Sequence, residues 1–133
     1  MRVALICFAC LLVIGCADMP AEPRAATMLS AGTWTGDGCL SVSSREGCEL
    51  VVGCGHGVFP QPVVRDDGTF DIDGTYRVEA GPVSINPAPP AKFSGVLRGQ
   101  TLTLTVTPSG SIRPMSFELQ LSSASGRCVT ACV

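Results

Sequence analysis

The chain has 133 residues, a formal net charge of −2, one lysine (Lys92) and one histidine (His56). A weakly acidic balance argues against nucleic acid as a partner, because phosphate neutralisation needs a basic face. A lone histidine also restricts the acid–base and metal chemistry open to the chain.

Met1 and Arg2 precede an unbroken apolar run, Val3 to Ile14. The run is too short to cross a bilayer as a helix, which takes about 20 residues, but it suits a signal-peptide core. It ends in Val13-Ile14-Gly15-Cys16. These residues resemble the lipobox of bacterial lipoproteins: branched apolar residues, a small residue that admits the peptidase, then the cysteine that is lipidated and becomes the new N-terminus. The resemblance covers the first sixteen residues. It implies lipidation of Cys16 and attachment through more than one acyl chain, as stable anchoring requires. Cys10 fits less well, since it would cut the apolar core to seven residues and put Cys7 where a branched residue belongs. A plain secretory cut near Ala25-Ala26 would lie far from the core. Ala17 follows Cys16 where an aspartate would signal retention, and in the enterobacterial pattern this favours the outer membrane. Cleavage removes only Arg2 among charged residues and leaves a net charge of −3.

The expected organisation is therefore a signal peptide over 1–15, a lipidated flexible tether over 16–30, and a single all-β domain over 31–133. The tether reads "ADMPAEPRAATMLS" after Cys16, with two prolines and no apolar period. About 100 residues remain, enough for one small domain and too few for two.

Within that domain no window carries a helical period, and strand signals recur in chain order. "CLSVSS" and "CELVVGC" flank Arg45-Glu46-Gly47, a three-residue hairpin loop ending in glycine. That register sets Leu40 and Val42 opposite Val52 and Leu50 on one face. "FPQPV" and "NPAPPAK" read as rim loops, because proline cannot join a central strand. "TFDID" and "TYRVE" read as two strands divided by the turn dipeptide Asp73-Gly74. "KFSGVLRG" places Phe93, Gly95 and Leu97 on one face, with Gly95 where a neighbouring backbone comes close. "TLTLTVT" and "SFELQLS" alternate apolar and polar residues most cleanly. Seven or eight short antiparallel strands with one apolar face each close into an up-and-down barrel or pair as a sandwich, and the small barrel is favoured.

Two resemblances bear on the fold. Gly32-Thr33-Trp34 is similar to the Gly-x-Trp opening of lipocalin-type barrels, which implies a tryptophan plugging one end. "CGHGVFPQPVVRDDGTFDIDGTYRVE" with "AKFSGVLRGQTLTLTV" looks like a group of small secreted all-β bacterial proteins, over roughly residues 34–128. That likeness implies a fold and no activity.

Of the eight cysteines, Cys7 and Cys10 leave with the signal and Cys16 takes the lipid. Cys39, Cys48, Cys54, Cys128 and Cys132 remain, in a compartment where disulfides are the default. Cys54 is placed to tie an early strand to Cys128 or Cys132. Cys39 and Cys48 flank one hairpin but point to opposite faces, which disfavours pairing them. One thiol is left over, either free or linking two molecules.

Cys54 and His56 in "VVGCGHGVF" are the candidate chemical site. They could be a nucleophile and its base, or two ligands of a soft metal. The simpler reading makes Cys54 a bridged cysteine and Gly55-His56-Gly57 a turn. "RDDGTFDIDG" suggests calcium, but the sixth residue from Asp71 is Tyr76 where an EF-hand needs glycine. Trp34, Phe59, Phe70, Tyr76, Phe93 and Phe117 read as barrel core, with a ligand cavity as the alternative. No Ser/His/Asp set, phosphate loop or zinc spacing is present in the sequence.

The expected function is that of a cell-envelope lipoprotein, anchored in the membrane by lipid and presenting a small β domain to a protein or small-molecule partner. It is expected to be non-catalytic and to need no cofactor. The alternatives are a lipocalin-like carrier of a small apolar ligand, and a metal or redox site at Cys54/His56.

Overall fold

The computed structural model describes residues 26–79, 86–124, 126–129 and 132. The expected signal peptide, Cys16 and most of the expected tether lie outside the described residues. Ten strands follow in order: β1 (Thr27–Met28), β2 (Gly32–Gly36), β3 (Cys39–Ser43), β4 (Gly47–Val52), β5 (Gly55–Phe59), β6 (Val63–Val64), β7 (Thr69–Val78), β8 (Pro90–Arg98), β9 (Thr101–Pro108) and β10 (Met115–Leu121). Eight of them form a closed antiparallel barrel in the order β10-β2-β3-β4-β5-β7-β8-β9. Each barrel strand pairs with its neighbours in sequence, so the barrel is up-and-down, as the alternating pattern predicts.

Closure depends on β10 lying beside β2, with Leu121 paired to Trp34 and Leu119 to Gly36. A Cβ at Gly36 would run into the Glu118 carbonyl, so glycine sets how closely the two strands meet. Asp37 secures the seam, its Oδ2 accepting from Glu118 N (2.8 Å) while its own N–H donates to Glu118 O (3.0 Å). Eight strands leave an interior that side chains can fill. Trp34, Leu40, Leu50, Phe59, Phe70, Phe93, Leu104 and Leu119 fill it, all buried, and Phe59 stacks on Phe93 with centroids 4.3 Å apart.

Three local expectations are corrected. Asp73-Gly74 is no turn: β7 runs unbroken through it for ten residues. Gly74 is needed because a Cβ there would run into the Val58 carbonyl and press on Phe59 Cβ at 2.7 Å and Phe93 at 2.9 Å. Gly95 makes room for the Phe70 ring and not for a neighbouring backbone. The β3–β4 hairpin is shifted by two residues, pairing Leu40 with Leu50 and Val42 with Cys48. Ser43 causes the shift: its Oγ accepts from Arg45 N and Glu46 N (both 3.3 Å), and Gly47, at φ 81°, is already in the ladder. A two-residue slip keeps every side chain on its face, so Cys39 and Cys48 do point oppositely.

Thr27–Met28 pairs with Val63–Val64 as a separate ribbon at the end of the barrel where the chain enters. Leu29 is fully buried there, and Trp34 Nε1 donates to Ser30 O (3.1 Å). Residues 27–30, expected as the end of a tether, therefore belong to the packed domain.

Candidate functional site

The β4–β5 hairpin builds the surroundings of His56. Val52 pairs with Gly55, which leaves Gly53 and Cys54 as a two-residue turn. Gly53 takes φ 54°, the positive value that the first position of a type II′ hairpin turn requires. The corner thus lies at Gly53-Cys54, and the expectation of a turn at Gly55-His56-Gly57 is corrected: those three residues are strand. Gly55 and Gly57 face inward, where a Cβ would collide with the Tyr76 hydroxyl or press on Phe93 at 3.0 Å.

His56 faces outward, opposite Val51 of β4 and Arg77 of β7. Its Nε2 lies 2.8 Å from Glu49 Oε1, a diagonal neighbour two residues along β4, and its Nδ1 lies 4.0 Å from Glu79 Oε1. Glu79 is positioned by its own N–H, which donates to Cys54 O (2.7 Å) just past the end of the β5–β7 ladder. The imidazole is therefore bracketed by a carboxylate on each side, with 27% of its side chain exposed.

Cys54 sits at the turn tip and is bridged to Cys132; Cys39, outward on β3, is bridged to Cys128. The Cα–Cα distances are 5.3 and 5.5 Å, within the usual span. Of the two partners the sequence allowed for Cys54, Cys132 is the one taken. A bridged sulfur is no thiolate, so Cys54 cannot serve as nucleophile or metal ligand while that bond stands. Among the described residues, no group of three or more His, Cys, Asp or Glu side chains is arranged to hold a metal ion.

The leftover thiol is Cys48. It points into the barrel, 1% exposed, and burial pushes its pKa up to about 12. That placement removes it from any link between molecules.

Three of the four aspartates of "RDDGTFDIDG" are brought to separate partners. Asp67 accepts from Thr69 Oγ1 (2.6 Å) and Thr69 N (3.0 Å), and the first of these bonds is the main cause holding its carboxyl below the ordinary value. Asp71 pairs with Arg65 (2.9 Å) and Asp73 with Lys92 (3.0 Å).

At the barrel end away from the ribbon, an open surface groove of about 630 Å³ is lined by Tyr76, Arg77, Pro87, Pro89, Arg113 and Met115, among others. Of the prolines expected in rim loops, Pro87 and Pro89 are here, Pro60 and Pro62 lie at the ribbon end, and Pro90 opens β8. The sequence reading missed the Glu49–His56–Glu79 arrangement. Glu49 was within reach: placing the turn at Gly53-Cys54 makes it diagonal to His56. Glu79 depends on the β5–β7 pairing, which carries no local signal.

No family model, curated protein or solved structure matches this chain. The resemblances seen in the sequence stand on their own residues.

Proposed function

We propose that this is a lipid-anchored protein of the bacterial cell envelope whose barrel acts as a non-catalytic binding or structural module. The observation that carries the reading is the pair of disulfides, Cys39–Cys128 and Cys54–Cys132, each spanning more than 75 residues of sequence. Such bonds persist in oxidising compartments and not in a reducing cytosol, in keeping with an N-terminus built for export and with Cys16 as the lipidated residue. Ala17 directs the anchor to the outer membrane, with the barrel on the periplasmic side or at the cell surface.

Surface binding is supported over carriage of an apolar ligand because the interior positions are taken by the protein's own side chains. It is supported over catalysis because the His56 ring lies between the carboxylates of Glu49 and Glu79, and Cys54, two residues away in the chain, is bridged and so no nucleophile. The rim groove and the exposed loops beside it are the surface a protein or small-molecule partner would meet.

The test is intact mass spectrometry of the protein recovered from the membrane fraction of a bacterial host, beside a Cys16→Ala variant. The expected result is an acylated mass beginning at Cys16, and a variant found in the soluble fraction. An unmodified mass beginning elsewhere would overturn the anchor. A co-purifying apolar molecule released only on unfolding would favour the carrier instead.

A further inference from the structure

The end of the barrel where the chain enters holds an apolar pair that the core does not use. Met28 and Val63 are register partners in the β1–β6 ribbon, and each is 51% exposed. Their chain neighbours Leu29 and Val64 are buried in the core. The ribbon is fixed by hydrogen bonds: Leu29 N donates to Pro62 O (2.9 Å) and Gln61 Nε2 donates to Leu29 O (2.7 Å). Met28 and Val63 are thus held side by side, turned away from the interior. The depression next to them is lined by Arg65 and Arg98 together with Asp66 and Asp67, so these four charges cancel.

We infer that this ribbon rests on the lipid surface, with Met28 and Val63 at the boundary between headgroups and acyl chains. The inference rests on the reading of Cys16 as lipidated. Eleven residue steps separate Cys16 from Thr27, and fully extended they span at most about 38 Å. The ribbon is the first part of the domain that the chain meets, so an anchored barrel keeps this end nearest the bilayer. Two half-exposed side chains bury too little to hold a barrel there unaided. The anchor supplies the missing affinity by confining the ribbon close to the surface. Because the flanking charges cancel, the contact is indifferent to anionic lipid. The barrel then stands with its far rim, Ile112 and the Gly53-Cys54 turn, facing away from the membrane.

The experiment uses the full lipidated protein in phosphatidylcholine vesicles containing a nitroxide-quencher lipid. A fluorophore is placed on V63C, on M28C, or on I112C at the opposite end, where Ile112 is 95% exposed. Labelling without reductant keeps the disulfides closed and leaves the buried Cys48 unlabelled. The expected result is roughly threefold stronger quenching at positions 63 and 28 than at 112, unchanged when anionic lipid is added. Equal quenching at all three positions, in protein that floats with the vesicles, overturns this inference and leaves the anchor standing. A label at 63 that is shielded from water but not quenched, in a preparation that cross-links as dimers, means a second copy covers the ribbon and also overturns it. Protein that fails to float and carries no lipid mass on Cys16 overturns the anchor, and this inference with it.

Discussion

Cys39 and Val51 face each other across β3 and β4 on the outside of the barrel, and Val51 is nevertheless only 5% exposed. Val51 lies outside the interior cluster and is flanked on its other side by His56. The chain after β10 is tied down on this same outer side. It leaves the barrel at the ribbon end, passes Thr33, whose Oγ1 donates to Gly126 O (2.6 Å), and is bridged at Cys128 to Cys39 and at Cys132 to Cys54. Among the described residues of this tail, Val129 is 80% exposed. Two covalent bonds hold it in place.

Those bonds are therefore expected to dominate the tail's contribution to stability. In the chain-entropy description, a lone closed loop of roughly 80–90 residues is worth about 4.5 kcal/mol. With Cys54–Cys132 still closed, Cys39–Cys128 closes only the 15 residue steps from 39 to 54 and the 4 from 128 to 132. The double variant Cys39→Ser/Cys128→Ser is therefore expected to lose about 3 kcal/mol in urea unfolding while keeping its far-ultraviolet strand signal. Stability within about 1 kcal/mol of the parent would mean that the unfolded chain is already restrained, and that the bridge serves another end.

The inward glycines give a sharper test of the barrel's packing. At Gly95 a methyl group meets the Phe70 ring in a fully packed interior, whereas at Gly126 it meets nothing within 4 Å. Gly95→Ala is expected to lower stability by about 1–3 kcal/mol through overpacking. Gly126→Ala should stay within about 0.5 kcal/mol. Thermal melts followed by the fluorescence of Trp34, the chain's single tryptophan, would read both. Equal melting temperatures would show that the Phe70 ring has room to move.

These glycines also show what was legible in the sequence and why the rest was not. The apolar/polar alternation of β9 and β10 and the strand content upstream predict the barrel, because period-2 burial is a local property of the chain. The meaning of Gly74 is not local. Asp73-Gly74 has the composition of a turn, and the Val58 carbonyl and Phe59 Cβ of β5, with the Phe93 ring of β8, make glycine necessary within a strand. The Gly55-His56-Gly57 stretch misleads for the same reason, through Tyr76 and Phe93. The β1–β6 ribbon is two residues a side and has no period to detect. Of the candidate site, the single histidine and its neighbouring cysteine were evident, but Glu79 reaches His56 only through the β5–β7 pairing.

Cys48 carries a pH prediction. Its folded pKa, raised to about 12 from an ordinary 9.0 by burial, favours the neutral thiol in the native state. The stability this represents is complete below pH 9.0 and declines as pH rises from there toward 12, where the unfolded chain ionises first. Alkylation of the native protein by iodoacetamide at pH 8 should therefore proceed only as fast as the barrel opens. Cys48→Ser, which buries a hydroxyl with no assigned partner, is expected to cost about 1–3 kcal/mol. Rapid alkylation of the folded protein at pH 8 would contradict the buried placement.

The His56–Glu49 pair is expected to matter far less to stability than its 2.8 Å separation suggests. Both side chains reach solvent, at 27% and 55% exposure, so water and salt screen their attraction. Exposed pairs of this kind contribute about 0.2–1 kcal/mol. Glu49→Gln keeps the shape and removes the charge, and it should shift the urea midpoint correspondingly little. In 1 M salt, where the screening length falls to about 3 Å, the difference between variant and parent should shrink. A loss above about 2 kcal/mol that persists in salt would mean the pair is held by more than charge. Glu79, 4.0 Å away on the other side of the ring, would then be the next residue to replace, since a second carboxylate can take over when the first is neutralised.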